Sequence, residues 1–389
     1  MRVLIVSTNR CRDPAPVLPL GACAVAEAAE TAGHRVRLLD LMFERRPFDA
    51  LSLELAAYDP EVVGLSIRNL DNTTMEAPES FVPEVLSLLR LIRRCSRAEV
   101  VLGGAAVGVA PRALLEATGG SWAVPGEGET TFPLLLEALS GGAPPGAVPG
   151  VLSASGAPAE SPSAGTAPRP VRWSFPDLDR WLNLGRYRGA GGSVPLQTKR
   201  GCPLACIYCP CPKVEGANYR LCPPDEAAEE LSRLRRSGIR EVEIVDSVFN
   251  APQEHAYGFC DAVSRKDLRL RLHSFELNPG FLDGALLNVM ERAGFAGIGI
   301  TAESASSKVL ARLGKNYGAD ELWRAAGELR RRRIPCLWLF MLGGPGETEE
   351  TVAETLRFAS RAIAPTDVAF FSVGIRIFPG TKLEEIAKR

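Results

Sequence analysis

Residues 1–145 alternate short apolar runs with segments in which apolar residues recur at every third or fourth position. The apolar runs cover residues 3–7, 36–40, 62–67, 100–102 and 122–124. The segments with helical spacing cover residues 20–31, 81–94 and 132–139. Strands that are apolar throughout and alternate with helices indicate a parallel sheet that is covered on both faces. The pattern therefore predicts an α/β, Rossmann-like domain over residues 1–145.

Polar residues and glycines follow these apolar runs directly. Ligands of parallel sheets bind at the carboxyl ends of the strands, and glycine there lets a bulky ligand approach the backbone. The candidate ligand-binding residues at this edge are Ser7, Asn9, Ser66, Arg68, Asn69, Gly103, Gly104, Gly126, Glu127 and Gly128. No G-x-G-x-x-G motif opens a helix after the first strand, so a nicotinamide dinucleotide is a poor candidate.

Composition changes sharply after this domain. Gly, Ala, Pro and Ser dominate residues 140–170, and no apolar periodicity survives there. Aromatic residues return between Trp173 and Tyr187. We therefore predict a linker over residues 146–192 whose aromatic part packs on one or both neighbouring domains.

A second series of strands and helices occupies residues 193–389. The predicted strands cover residues 194–198, 241–245, 269–277, 297–301, 336–342 and 368–375. The predicted helices cover residues 224–237, 283–293, 320–332 and 351–363. About six strand–helix units of this kind predict a second parallel α/β domain. Acidic residues fall near several strand ends, namely Asp246, Glu276, Glu303 and Glu347.

Three cysteines lie close together just after the first strand of this domain. Cys202, Cys206 and Cys209 form a C-x₃-C-x₂-C pattern. A structural zinc site uses four ligands, commonly as two separated pairs, and ferredoxin spacings differ from this one. Three thiolates instead indicate a [4Fe-4S] cluster with one iron open to a ligand. Cys211 is an alternative fourth ligand that would close the site, although Pro210 limits how both cysteines could face one metal.

This pattern, with Tyr208 before the last cysteine, resembles the signature of the radical S-adenosylmethionine (SAM) superfamily. The resemblance implies a partial (β/α)₆ barrel over residues 193–389. It also implies that the open iron binds the amino and carboxylate groups of SAM. An electron from a flavodoxin- or ferredoxin-type donor would then cleave SAM to methionine and a 5′-deoxyadenosyl radical.

The same resemblance implies roles for two short segments of the barrel. Asp246 and Ser247 are placed like the family motif that meets the methionyl ammonium of SAM, although that motif is usually Gly-Gly-Glu. Glu303 and Ser304 resemble the motif that meets the ribose, although Thr301 replaces its glycine. The alternative for each acidic residue is a capped or solvated strand end.

The N-terminal domain resembles the cobalamin (B12)-binding domain that precedes many radical SAM domains. The resemblance lies in the segments Pro19–Gly21, Gly33–Asp40, Val100–Gly104 and Pro125–Glu129. The chain has three histidines, and none lies in an Asp-x-His-x-x-Gly motif. We therefore expect cobalamin to bind without a histidine below the cobalt. The alternative is a domain of this fold that binds nothing.

Composition excludes several other classes. The formal net charge is −1, which gives no global attraction to nucleic acid or anionic membranes. No apolar run approaches the about 20 residues that a membrane helix needs. The ten cysteines have irregular spacing that is not typical of a secreted disulfide scaffold. We therefore expect a cytoplasmic enzyme that acts on a small molecule.

The favoured function is that of a B12-dependent radical SAM methyltransferase acting on a carbon or phosphorus centre. One SAM would methylate cob(I)alamin, and a second would supply the radical that activates the substrate to accept the methyl group from methylcobalamin. The alternatives are a non-methylating B12 radical SAM rearrangement, cyclisation or ring contraction, and a methylthiotransferase acting on tRNA or protein. The last would need Cys11, Cys23 and Cys95 to hold another cluster. Relatives commonly continue past the position of Arg389, so we expect a further segment or a partner to complete the substrate pocket.

Overall fold

The computed structural model describes residues 1–72, 75, 77–154, 173–332 and 334–389. These residues form two compact units. The first contains residues 1–192 and 213–215, and the second contains residues 193–212 and 216–389. The described parts of the predicted linker, residues 146–154 and 173–192, belong to the first unit. Residues 155–172 of the predicted linker lie outside the described residues.

The first unit is built on one sheet. Its strands are β1 (Arg2–Ser7), β2 (Arg35–Asp40), β3 (Val62–Ser66), β4 (Glu99–Gly103), β5 (Trp122–Ala123) and β6 (Leu152–Ser153). The strand order is β2-β1-β3-β4-β5-β6, with β1 to β5 parallel and β6 antiparallel to β5. The order reverses between β1 and β3, which makes their carboxyl ends the switch point where ligands of such sheets bind. The predicted parallel α/β domain is confirmed.

Helices cover both faces of this sheet. They are α1 (Leu20–Thr31), α2 (Pro47–Tyr58), α3 (Val82–Cys95), α4 (Ala105–Val109), α5 (Pro111–Thr118), α6 (Gly128–Leu139), α7 (Leu178–Trp181) and α8 (Leu184–Gly189). Side chains alternate along β1, so Leu4 and Val6 enter the core under α2 and α3. Val3 and Ile5 enter a second core under α1 and α6. Burial on both faces explains why these strands are apolar throughout.

The aromatic part of the predicted linker is fixed to the first unit by specific contacts. Tyr187 is 1% exposed, and its hydroxyl donates to Asp40 Oδ2 at 2.8 Å. Its ring packs edge-on against Phe43, with centroids 4.9 Å apart. Near α7, the backbone N–H of Asp177 donates to Glu27 at 2.8 Å. These anchors explain why residues 173–192 fold onto the domain rather than act as a free connector.

The second unit contains a sheet that curves as a partial barrel and a small hairpin. Its strands are β7 (Val194–Leu196), β8 (Lys199–Arg200), β9 (Arg220–Leu221), β10 (Glu241–Ile244), β11 (Arg271–Leu277), β12 (Phe295–Glu303), β13 (Cys336–Leu342) and β14 (Val368–Val373). The main sheet is parallel, in the order β14-β13-β12-β11-β10-β7, and β8 pairs with β9. Neighbours in sequence are neighbours in space, which confirms the predicted six-stranded partial barrel.

The helices of this half follow their strands. They are α9 (Cys211–Val214), α10 (Pro224–Arg236), α11 (Gln253–Lys266), α12 (Gly284–Ala293), α13 (Ser307–Arg312), α14 (Ala319–Leu329), α15 (Glu349–Ala362) and α16 (Lys382–Ala387). The carboxyl ends of β7, β10, β11 and β12 therefore lie at one edge, as barrel architecture requires. None of the described helices combines the length and apolarity that a membrane crossing needs.

Candidate functional site

The cysteine loop leaves the carboxyl end of β7 and passes through the short strand β8. Gly201 has φ +82°, and a Cβ there would collide with the carbonyl oxygen of Asn218. Only glycine fits this turn. The next residue, Cys202, is 5% exposed, and its N–H donates to the carbonyl oxygen of Gly216 at 3.0 Å. The first cysteine is thus held by the returning arm of its own loop.

Two elements from the far end of the barrel hold the second half of the loop. The N–H of Ile207 donates to Leu313 O at 3.0 Å, and its carbonyl oxygen accepts from Leu383 N at 2.9 Å. The three side chains pack together with Val309 in one apolar cluster. Because Ile207 lies between Cys206 and Cys209, α13 and α16 position both cysteines.

The side chains of Cys206 and Cys209 are near enough for the charge of one to affect the other. Burial raises the pKa of Cys206, and the charge of Cys209 raises it further, whereas Lys315 lowers it. The described residues hold no group of three His, Cys, Asp or Glu side chains gathered around a single ion. A four-iron cluster places each thiolate on a different iron, so its ligands stand further apart than those of one ion. Three thiolates are the ligand set that a cluster with one open iron would use, and their binding of iron stays a prediction.

A buried triangle of polar groups lies beside the cysteines. Tyr208 Oη donates to Glu303 Oε1 at 2.7 Å, and Lys315 Nζ donates to the same oxygen at 2.9 Å. Lys315 also donates to Tyr208 Oη at 2.7 Å. The side chains of Lys315 and Glu303 are only 5% and 9% exposed. Both hydrogen bonds to Glu303 end on Oε1. Its Oε2 has no protein hydrogen bond among the described residues and can accept one from a ligand.

Two irregularities in the barrel strands place carboxylates near this triangle. In β11, Ser274 pairs with Ile298 but Leu277 with Ile300, so the strand carries one extra residue next to Glu276. In β12, a second shift precedes Glu303, whose φ is +59°. Bulges re-aim side chains and are frequent beside active sites. The Glu276 side chain reaches solvent, and crowding by surrounding protein together with the charge of Glu303 raises its pKa to about 8.

Asp246 lies at the end of β10 but its carboxylate faces the strand that leads to the cysteines. Oδ1 accepts from the N–H groups of Thr198 and Lys199 at 2.6 and 3.0 Å, and Oδ2 accepts from Thr198 Oγ1 at 2.6 Å. Lys199 is fully buried, and its Nζ donates to Phe249 O and Ala251 O. Asp246 therefore fixes the start of the cysteine loop. Its contact with the ammonium group of SAM stays a prediction.

The other residues predicted on the barrel also contact protein groups. Ser247 Oγ lies 3.0 Å from the sulfur of Cys211. Ser304 is fully buried, where its Oγ accepts from Ser306 N and lies 3.1 Å from Thr355 Oγ1, so it shapes the turn after β12. Glu347 Oε2 accepts from the N–H groups of Gly343 and Gly344, which closes the turn before α15. Ser304 and Glu347 thus organise the turns that carry them.

The carboxyl ends of β1 and β3 meet in the first unit. Thr8 N donates to Ser66 O at 3.1 Å, which holds the two ends side by side. Asn9 is 8% exposed, and its Nδ2 has no hydrogen-bond acceptor among the described residues. An orphaned buried donor at a switch point fits a polar ligand group. Ser7 is 2% exposed, and its hydroxyl lies next to the Asp40 carboxyl, where it works against the rise in the pKa of Asp40 that burial causes.

The loops after β3 and β4 lie against each other at the same edge. Ile67 N donates to Gly103 O at 2.8 Å, and Ala106 N donates to Ile67 O at 3.1 Å. Gly104 has φ +94°, and a Cβ there would lie 2.5 Å from Ile67 O, so this approach requires glycine. With the Asn69 amide turned so that its oxygen faces a donor, Arg68 Nη1 donates to that oxygen at 2.9 Å and the amide nitrogen donates to Arg68 O at 3.2 Å.

The loop after β5 supplies the remaining predicted residues of this edge. Gly126 has φ +85°, and Glu127 precedes the first residue of α6, Gly128. The structure thus brings the predicted residues that follow β3, β4 and β5 to one edge of the sheet. Their contact with a ligand stays a prediction.

Sequence reasoning did not identify the residues outside the motifs that hold the site residues in place. Lys315 follows α13 and carries no motif of its own, and Thr198 and Lys199 precede the cysteine signature. One signal could have pointed to Lys315. It follows a segment with apolar periodicity and has no acidic residue within a helical turn of it. A lysine at such a place needs a partner from elsewhere in the fold.

Comparisons with known proteins identify both units. Residues 196–359 match the family described as the radical SAM superfamily, and residues 14–136 match the B12-binding domain. The first range contains the cysteine loop, and the second contains the ends of β3, β4 and β5 but begins after β1 and Asn9. The match to both families agrees with the predicted combination of a [4Fe-4S] cluster, SAM and cobalamin.

Individual relatives are similar over most of this chain. The hopanoid C-3 methylase of Methylococcus capsulatus is 29% identical over 82% of this chain and 62% of its own length. An uncharacterized methyltransferase of Pyrococcus horikoshii is 27% identical over 95% of this chain and 78% of its own length. The radical SAM methyltransferase TsrM of Kitasatospora setae, solved with tryptophan substrate and a SAM analogue, is 27% identical with a TM-score of 0.89. That comparison covers 100% of this chain and 76% of the solved chain.

Proposed function

The chain belongs to the radical SAM superfamily and carries a B12-binding domain, and on this premise we propose a cobalamin-dependent methyltransferase. Its substrate is a small molecule that accepts the methyl group at a carbon or phosphorus centre. The observation that carries the proposal is the three-cysteine loop braced by Tyr208, Glu303 and Lys315, in a chain that also has a B12-binding sheet. The methylase and methyltransferase names of the relatives agree with it.

Residues on the barrel would hold the cluster and SAM. Cys202, Cys206 and Cys209 would bind three irons and leave the fourth open. When bound, the cluster supplies one electron to SAM, and cobalamin carries the methyl group. Glu303 Oε2 is oriented by Tyr208 and Lys315 to accept hydrogen bonds from the ribose hydroxyls. The loop's burial under α13 and α16 limits water near the cysteines.

Residues of the first unit would hold cobalamin. Asn9 Nδ2 offers a buried donor, and a Cβ on Gly103 or Gly126 would meet no atom closer than 3.9 Å, so the backbone there is open to a large ring, while Gly104 lets the neighbouring loop pack against Ile67. The three histidines have other surroundings. His34 Nδ1 lies 3.3 Å from the N-terminal amine, His255 Nε2 2.8 Å from Cys222 O, and His273 Nε2 2.6 Å from Glu241 Oε1. This arrangement agrees with cobalamin bound without a histidine ligand.

The mode of cobalamin binding gives a direct test. Protein loaded with cobalamin and reduced to cobalt(II) should show no nitrogen hyperfine splitting from an axial ligand in its electron paramagnetic resonance spectrum. The His34→Ala variant should bind cobalamin with the same spectrum, because His34 contacts the N-terminus rather than the sheet edge. Splitting that disappears in a histidine variant, or no binding by the wild type, would contradict this arrangement.

The methylthiotransferase alternative needs a second cysteine cluster in the first unit. Cys11 follows β1 and is half-buried, Cys23 is fully buried within α1, and Cys95 is exposed at the end of α3. The relatives named tRNA-2-methylthio-N(6)-dimethylallyladenosine synthase match only about half of the chain. Methyl transfer is therefore the better assignment.

Reduction of the cluster requires an electron donor, and its cysteines require a reducing compartment. We include in the proposal an external one-electron donor of flavodoxin or ferredoxin type. A reduced cytoplasm suits thiols that must bind iron, and none of the ten cysteines forms a disulfide in the described structure.

Labelled SAM tests the reaction type. Enzyme carrying its cofactors is incubated anaerobically with methyl-labelled SAM, a reductant and candidate acceptors, with L-tryptophan included first. Methyl transfer with radical initiation should consume about two SAM per product and yield both S-adenosylhomocysteine and 5′-deoxyadenosine, because methyl supply and substrate activation are separate tasks. Product without the label, formed together with 5′-deoxyadenosine alone, would favour rearrangement or cyclisation instead.

A further inference from the structure

A fourth cysteine adjoins the cysteine motif and contacts one of its members. Cys211 begins the short helix α9, two residues after Cys209. Its backbone N–H donates to Cys209 Sγ at 3.4 Å. Its thiol also hydrogen-bonds to Cys209. Two donors of one residue thus converge on one ligand sulfur.

A serine from another strand continues the contact. Ser247 follows β10, and its Oγ lies 3.0 Å from Cys211 Sγ. When the Cys211 thiol donates to Cys209, its sulfur can accept from the Ser247 hydroxyl. The order Ser247 to Cys211 to Cys209 therefore forms a continuous hydrogen-bond relay that ends on a cluster ligand. The relay joins residues that are distant in sequence and belongs to the barrel unit alone.

We propose that Cys211 and Ser247 are positioning residues that set the reduction potential of the cluster, and that Cys211 is not a ligand. This inference rests on the proposed function only in that Cys209 binds an iron. Reduction adds one electron and no proton to the cluster, so negative charge on the ligand sulfurs increases. Hydrogen bonds to those sulfurs stabilise the added charge and raise the potential.

The geometry favours this role over ligation. A ligand thiolate would have to turn toward the irons, whereas the Cys211 thiol is engaged between Cys209 and Ser247. Pro210 fixes the backbone between the two cysteines and restricts how far Cys211 can turn. The sequence pattern left both roles open, and the structure supplies the contacts that separate them.

The test is a redox titration of the cluster in four variants. Cys211→Ala, Cys211→Ser, Ser247→Ala and the control Cys95→Ala are reconstituted anaerobically with iron and sulfide. Iron content is measured first, and reduction by dithionite is then followed by electron paramagnetic resonance against a potential scale. Cys95 is exposed at the end of α3, away from the motif in sequence, so its replacement controls for the loss of a thiol.

The relay predicts full iron content in every variant and a graded change in potential. In Cys211→Ala the ratio of reduced to oxidised cluster at a fixed potential should fall about tenfold, which is about 59 mV for a one-electron couple. Cys211→Ser keeps a hydroxyl donor and should fall less, and Ser247→Ala should shift in the same direction by a smaller amount. Cys95→Ala should match the wild type.

Each contrary result has a distinct meaning. An unchanged potential in Cys211→Ala overturns the relay, and loss of iron in Cys211→Ala and Cys211→Ser shows that Cys211 is a ligand. The titration needs no methyl acceptor, so failure of methyl transfer leaves this test intact. A wild type that binds no four-iron cluster would overturn the relay and the proposed function together.

Discussion

Replacing Cys202, Cys206 or Cys209 by alanine should abolish both the iron–sulfur cluster and SAM cleavage. Each thiolate would hold one iron, so removing one leaves two protein ligands for a cluster that already has an open iron. The wild type should bind about four irons per chain after anaerobic reconstitution, and each variant should bind far less. Iron and sulfide analysis with absorption spectra measures this effect, and 5′-deoxyadenosine formation measures the loss of cleavage.

Two controls make this result specific. Cys211→Ala should retain the iron, because its thiol contacts Cys209 and Ser247. Cys95→Ala should retain both iron and SAM cleavage, because Cys95 lies exposed on α3. Loss of iron in Cys211→Ala would mean that the site has four ligands and no open iron. Retention of a full cluster after any of the three motif replacements would remove that cysteine from the ligand set.

Lys315→Met should weaken SAM binding strongly while the cysteines still bind iron. The lysine is the cation that compensates the buried Glu303 and also donates to Tyr208. Removing one partner of a buried ion pair leaves an uncompensated charge and costs about 3–5 kcal/mol. Glu303 should then turn away, and its Oε2 would no longer be held for the ribose. The measurement is SAM affinity by calorimetry on cluster-loaded protein, together with thermal unfolding.

Matched variants separate positioning from general destabilisation. Lys315→Arg keeps the charge and should recover much of the SAM affinity. Tyr208→Phe removes one hydroxyl from Glu303 but leaves the ion pair, so its effect should be smaller than that of Lys315→Met. The change that SAM causes in the spectrum of the reduced cluster should disappear in Lys315→Met. Equal SAM affinity in Lys315→Met and wild type would exclude this positioning role, even if stability fell.

The fold class and the cluster ligands were determined by short-range patterns in the sequence. Strands buried on both faces need apolar residues throughout, and residues 62–67 and 100–102 show this without reference to any partner. The cysteines lie within eight positions of one another, so their spacing alone brings three thiols together. Patterns over a few residues were therefore enough to predict the parallel sheets and the cluster ligands.

The attachment of residues 173–192 to the first unit depends on contacts that no local pattern reveals. Residues 146–192 have a composition typical of a linker, but Tyr187 and Asp177 attach the described part to Asp40 and Glu27. A single hydrogen-bonded aromatic residue can anchor a segment that lacks periodicity, because burial and a satisfied hydroxyl offset the entropy of ordering it. The sequence showed the aromatic residues but not their partners.

The working arrangement of the site was decided by tertiary structure. Tyr208, Glu303 and Lys315 come from the cysteine loop, the end of β12 and the segment after α13, and only the folded partial barrel brings them within 3 Å of one another. Asp246 was identified from the sequence as a candidate, but its orientation toward Thr198 follows from the register of β10 beside β7. The sequence determined which chemical groups are present, because spacing and residue type are local properties. The tertiary structure decided which groups meet, because hydrogen bonds and ion pairs depend on distances between elements far apart in the chain.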